Sequence, residues 1–152
     1  MKLFCKFLFL SGLLFGQSVA YANCDDGTSQ RNFNGPNKTV QSLWRALKDS
    51  GVPIWEEGSF HRQEFNYIGL IKSNRPLHVV WFYTVSGKSC HATKRLLLFS
   101  KNGKFVGGYM GVDEPSKIIN GSTLQFMQTE PASFASGPPL WLDSNKFEAA
   151  SR

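Results

Sequence analysis

Residues Lys94 to Met110 read KRLLLFSKNGKFVGGYM. Two apolar runs flank Lys101-Asn102-Gly103, and Asn-Gly between such runs is the strongest short-range signal for a β-hairpin. This hairpin decides the fold, because strand patterns continue on both sides of it. Upstream, Leu77 to Val85 (LHVVWFYTV) is apolar on both faces, which predicts a central strand covered on both sides. Before it, the turn Ser73-Asn-Arg-Pro76 follows Glu64 to Lys72 (EFNYIGLIK), where Phe65, Tyr67 and Ile71 are expected on one face. Downstream, Asn120-Gly121 separates Lys117-Ile118-Ile119 from Thr123 to Met127 and predicts a second hairpin. Gly107-Gly108 inside a strand marks a bulge, a bend or a close approach to the backbone.

One helix is predicted, over Thr39 to Ser50. Val40, Leu43, Trp44 and Leu47 fall at i, i+3, i+4 and i+7 and give it one apolar stripe. Asn37 or Thr39 is the expected cap, and Gly51 with Pro53 the stop. The stripe must be buried, and a sheet face is the available cover. The fold class expected is therefore α+β: an antiparallel β meander of five or six strands with one N-terminal amphipathic helix packed on a sheet face.

Residues 1–22 have the form of a secretory signal. Lys2 and Lys6 precede the apolar run FLFLSGLLF, and Ala20-Tyr21-Ala22 is a small-x-small cleavage site. The run is shorter than the ~20 residues of a membrane span. Cleavage after Ala22 would leave 130 residues, periplasmic or secreted, without a transmembrane span. Residues 23–37 are polar and predict an irregular arm, residues 38–130 the helix and sheet, and residues 131–152 a Pro-rich tail packed on that domain. Asp143 to Ala150 has the composition of a short terminal helix.

Removing Lys2 and Lys6 takes the 17 basic residues to 15 against 11 acidic ones, a net charge of +4. These charges are spread along the chain, with no Lys/Arg block for nucleic acid, and nucleic acid is not an expected partner. After cleavage two cysteines remain, Cys24 and Cys90, and in an exported chain their simplest arrangement is one disulfide. The loop it would close is worth about 4 kcal/mol on the chain-entropy account.

No catalytic set is specific. Cys90 and His91 are sequence neighbours, and neighbours on a strand point to opposite faces. His61, His78 and His91 lack metal-ligand spacing, so no metal and no cofactor is expected, although a three-His site assembled from separate strands is the less favoured alternative. Glu64 near His61 is read as part of a solvated loop. His78 shares a strand face with Val80 and Phe82 and is read as a histidine at the edge of the core. Ser86 to Arg95 (SGKSCHATKR) joins two apolar strands and carries Lys88, Cys90, His91, Lys94 and Arg95. If stapled through Cys90 it is a rigid, exposed loop, suited to binding. A further reading places a ligand on the aromatic strand face around Trp81 and Tyr83.

Ser89 to Phe99 (SCHATKRLLLF), Lys104 to Gly111 and Asn120 to Phe126 together resemble the periplasmic inhibitor of vertebrate-type lysozyme of Gram-negative bacteria. The resemblance spans about 40 residues and implies a small secreted α+β protein that plugs a muramidase cleft with a His-bearing loop. The family closes that loop with two cysteines bracketing the His; here Cys90 alone lies in the loop and His91 follows it. The resemblance implies partner binding through Lys88, His91, Lys94 and Arg95. The expected function is an exported, non-enzymatic binding protein: an inhibitor or immunity-type partner of a cell-wall hydrolase or toxin. The alternatives are an envelope-associated ligand-binding module and a small metal-dependent enzyme.

Overall fold

A computed structural model of the protein describes residues 29–52, 60–88, 90–127, 129–136 and 147–149. Residues 1–22, expected to be a secretory signal, and Cys24 lie outside the described residues. In chain order the elements are β1 (Gln30–Asn34), α1 (Asn37–Asp49), β2 (Phe60–Ile71), β3 (Leu77–Ser86), β4 (His91–Ser100), β5 (Phe105–Met110), β6 (Pro115–Ile119), β7 (Thr123–Phe126), β8 (Ala132–Ser133) and β9 (Phe147–Ala149). They form two sheets, β1-β2-β3-β4-β5-β9 and β6-β7-β8. The fold is thus mostly β, mostly antiparallel, with one helix.

The large sheet is covered on both faces, as the doubly apolar β3 predicts. On one face, Val40, Leu43, Trp44 and Leu47 of α1 pack on Phe65, Val80, Phe82, Leu97, Phe99 and Phe105. Trp44 meets Phe33, Phe65 and Phe82 edge-on or tilted, with centroids 5.3–5.9 Å apart. On the other face, Leu124, Phe126, Ala132 and Phe134 of the small sheet bury Ile71, Leu77, Val79, Leu96 and Leu98.

Three expectations for the first half of the chain are corrected. The helix is not the first element: β1 precedes it, inside the arm expected to be irregular, and pairs parallel to β2. A polar run forms a strand here because only its alternate residues need cover. Phe33 packs beneath Trp44, and the Arg31 guanidinium lies 5.1 Å from the Trp44 ring centroid and 4.9 Å from that of Phe60. Neither Asn37 nor Thr39 caps α1; Pro36 stands at the N-cap without a side-chain bond. Third, Ile71 does not share a face with Phe65 and Tyr67. The register shifts between Tyr67 and Gly69, and the extra residue inverts the alternation beyond it. Phe65 then faces the helix and Ile71 the small sheet. Gly69, at φ 148°, holds a backbone conformation that residues with a side chain rarely adopt, and a Cβ there would stand 2.8 Å from Ile118 Cδ1, which would have to move aside.

Both Asn-Gly hairpins form, with different turns. Asn120 and Gly121 both have positive φ (50° and 70°), the type I′ signature. In the β4–β5 turn only Gly103 does (82°), and Gly103 N–H donates to Ser100 O at 2.8 Å. Gly107–Tyr109 accepts β9 as a neighbour strand. A Cβ on Gly108 would meet Leu96 O at 2.9 Å, the close approach the glycine pair signals. The tail begins inside the fold, with β8 paired to β7 and Phe134 fully buried. Phe147–Ala149 is strand, where a terminal helix was expected; 143–146 and 150 lie outside the described residues.

Candidate partner-binding surface

The Ser86–Arg95 segment is not one long loop. Gly87 to Cys90 is a tight turn, closed by Cys90 N–H donating to Gly87 O at 3.1 Å, with Gly87 and Cys90 both at positive φ (69° and 54°). His61 braces it from β2: its Nε2 donates to the same Gly87 carbonyl at 3.1 Å. Lys88 is exposed in this turn, and His91 is exposed at the first position of β4.

Because His91, Lys94 and Arg95 belong to a strand, their parity assigns them to faces. His91 lies opposite Ser86, and Arg95 opposite Phe82, on the helix side of the sheet. Lys94 lies opposite Tyr83, on the other side. The structure therefore separates residues that the sequence grouped: Lys94 on one face, His91 and Arg95 on the other, and Lys88 at the end between them.

The face that carries Lys94 has a definite architecture. Its centre is Tyr83, whose ring stacks parallel to Trp81 at 5.5 Å. Trp81 is almost fully buried, and its Nε1 donates to Val112 O at 3.1 Å, anchoring the β5–β6 connector. Tyr83 stands between Glu64 on β2 and Lys94 on β4 in the ladder register. Glu64 accepts from Arg62 Nε at 2.6 Å. Lys94 Nζ donates to Asp113 Oδ1 at 2.7 Å, and this carboxylate raises the Lys94 pKa. One residue pair along, Asn66 Nδ2 donates to Glu114 Oε1 at 2.9 Å and its Oδ1 accepts from Asn34 Nδ2 at 2.6 Å. An aromatic centre is thus framed by paired charges and amides.

Sequence reasoning named Trp81, Tyr83 and Lys94 here and missed Arg62, Glu64, Asn66, Asp113 and Glu114. Glu64, read both as the first residue of a strand and as part of a solvated loop, lies within β2. The signal was present: Arg62, Glu64 and Asn66 alternate with Gln63, Phe65 and Tyr67, a polar and an apolar face at period two.

The three histidines do not converge. His61 and His91 are near the β3–β4 turn, whereas His78 is at the other end of β3. Among the described residues no group of three or more His, Cys, Asp or Glu is placed to hold a metal ion. His78 sits, as expected, on the face of Val80 and Phe82, with two partners. Its Nε2 donates to Lys101 O at 3.3 Å, so its Nδ1 accepts from Tyr67 Oη at 2.9 Å. Among the described residues no helix is long and apolar enough to cross a membrane. No protein-family model, curated protein or solved structure matches the chain.

Proposed function

We propose that this chain is an exported, non-enzymatic binding protein whose Tyr83-centred sheet face, with Lys88 at its end, engages a protein partner of the cell-wall hydrolase or toxin class. The observation that carries the reading is the row Arg62–Glu64–Tyr83–Lys94–Asp113: an aromatic residue with a charged pair on either side, on rigid strands. Half-buried aromatic residues flanked by Arg and carboxylates are the composition of energetic centres in protein interfaces. A strand backbone and side chains already held in pairs leave less to order on docking than a free loop would. Export follows from the signal segment. The resemblance to lysozyme inhibitors supplies the partner class and points to the His91 loop; the proposal instead centres the binding surface on the neighbouring face, because the charged pairs flank Tyr83 there.

A Cys24–Cys90 disulfide belongs to the same proposal. It is supported by the two cysteines that remain after the proposed cleavage, Cys24 and Cys90, and by the turn that holds Cys90 at the end of the sheet. A staple at this end would fix the border of the binding face.

Two sets of substitutions test the surface. Arg62→Ala with Tyr83→Ala and Lys94→Ala alters one face; His91→Ala with Arg95→Ala alters the other. Surface plasmon resonance against the partner recovered from envelope extract should show at least about tenfold weaker binding for the first set. Loss confined to the second set would return the site to the His91 side.

A further inference from the structure

At the opposite end of the sheet, away from Tyr83, the β2–β3 and β4–β5 turns enclose an open groove of about 580 Å³. This is within the ~300–1,000 Å³ of small-molecule sites. Its lining is mainly apolar and includes Pro76, Leu77 and Val106; its rim carries Arg75, Lys101 and Asn102. Among the described residues neither the Arg75 guanidinium nor the Lys101 ammonium is engaged in an ion pair or hydrogen bond. Among the described residues no acidic side chain lines the groove. The paired charges around Tyr83 are the contrast: there each described cation has its carboxylate.

The turn that presents Lys101 is held in place. His78 Nε2 donates to the Lys101 carbonyl, and Tyr67 fixes the His78 ring through Nδ1. On the same turn, Lys104 N–H donates to Ser100 Oγ at 3.2 Å. Two cations without a carboxylate partner among the described residues therefore project from braced turns beside an apolar floor. A strongly polar ligand such as a sugar would leave its hydroxyls unmatched on that floor. A purely apolar ligand would leave the cations unused.

We propose that this groove binds a single-chain acidic amphiphile, with the acyl chain on Pro76, Leu77 and Val106 and the acidic head group against Arg75 and Lys101. Burial of the chain supplies most of the affinity, and the cations select the charged head. The inference does not depend on the partner proposed for the Tyr83 face.

Calorimetric titration of the mature, oxidised protein with decanoate, kept below its micelle concentration, tests it. Decan-1-ol supplies the chain without the charge, and acetate the charge without the chain. Decanoate should bind at least about tenfold tighter than either. Arg75→Glu with Lys101→Glu, both at exposed positions, should weaken decanoate at least about tenfold while leaving the melting temperature and decan-1-ol binding unchanged. Val106 methyl resonances should shift on titration. Absence of decanoate binding, equal binding of decan-1-ol, or an unaltered affinity in the double variant would each overturn the proposal.

Discussion

Tyr67 shows how one side chain can organise two regions. Its hydroxyl donates to His78, which in turn holds the β4–β5 turn, and burial raises its pKa above the ordinary 10.0. Tyr67→Phe should cost about 1 kcal/mol in urea unfolding, the net worth of one such hydrogen bond. Below pH 10 the phenol is neutral in both folded and unfolded chains, so it adds no pH dependence there. Above pH 10 the unfolded chain ionises first, and stability falls as pH rises through the higher folded value. Spectrophotometric titration should show a late-titrating tyrosine that is lost in Tyr67→Phe. The Lys94–Asp113 pair is a different case. Both groups are well exposed, so Asp113→Ala should leave the urea unfolding midpoint nearly unchanged. If that pair serves binding, the same variant should weaken partner association and its salt dependence far more than it affects folding.

Strand β2 carries the feature that shapes the molecule. Its bulge at Ile68–Gly69 turns Phe65 toward the helix and Ile71 toward the small sheet, so one strand feeds both cores. Gly69→Ala should destabilise by about 1–3 kcal/mol, because it combines an unfavourable φ with a clash against Ile118. Adding Ile118→Val removes the clashing Cδ1 and should recover part of that loss; a double-mutant cycle in urea measures the coupling. Much of this architecture was legible. The helix stripe, β3, β4 and both Asn-Gly hairpins follow from periodicity and turn chemistry. The β2 inversion was not, since a bulge depends on tertiary contact with Ile118 and leaves only a Gly as its trace. Strand β1 was hidden by its composition: three of its five residues are Asn or Gln, and its stabilisation comes from rings on other elements. The binding face was half legible. Tyr83 and Lys94 stood in recognised strands, but Asp113 and Glu114 reach the face through a connector whose path no local pattern specifies.

Taken whole, the protein is a sheet with a cover on each face and two chemically distinct ends. The β3–β4 end has the paired charges around Tyr83; the other end has an apolar groove with free cations. The proposed staple belongs to the first end. The oxidised protein, denatured and treated with Ellman's reagent, should show no free thiol once the signal is removed, and reduction should lower unfolding stability by up to about 4 kcal/mol. Two free thiols would remove the staple from the account and leave the Gly87–Cys90 turn braced by His61 alone. The central claim is that the Tyr83 face occupies a cell-wall hydrolase. The measurement closest to it is the rate of peptidoglycan clearing by purified muramidases and toxin-class hydrolases, with this protein added in increasing amounts. The account predicts saturable inhibition of one such enzyme by the wild type, lost in Arg62→Ala/Tyr83→Ala/Lys94→Ala and retained in His91→Ala/Arg95→Ala. Undiminished clearing by every enzyme at saturating protein, or full inhibition by the triple variant, would contradict it.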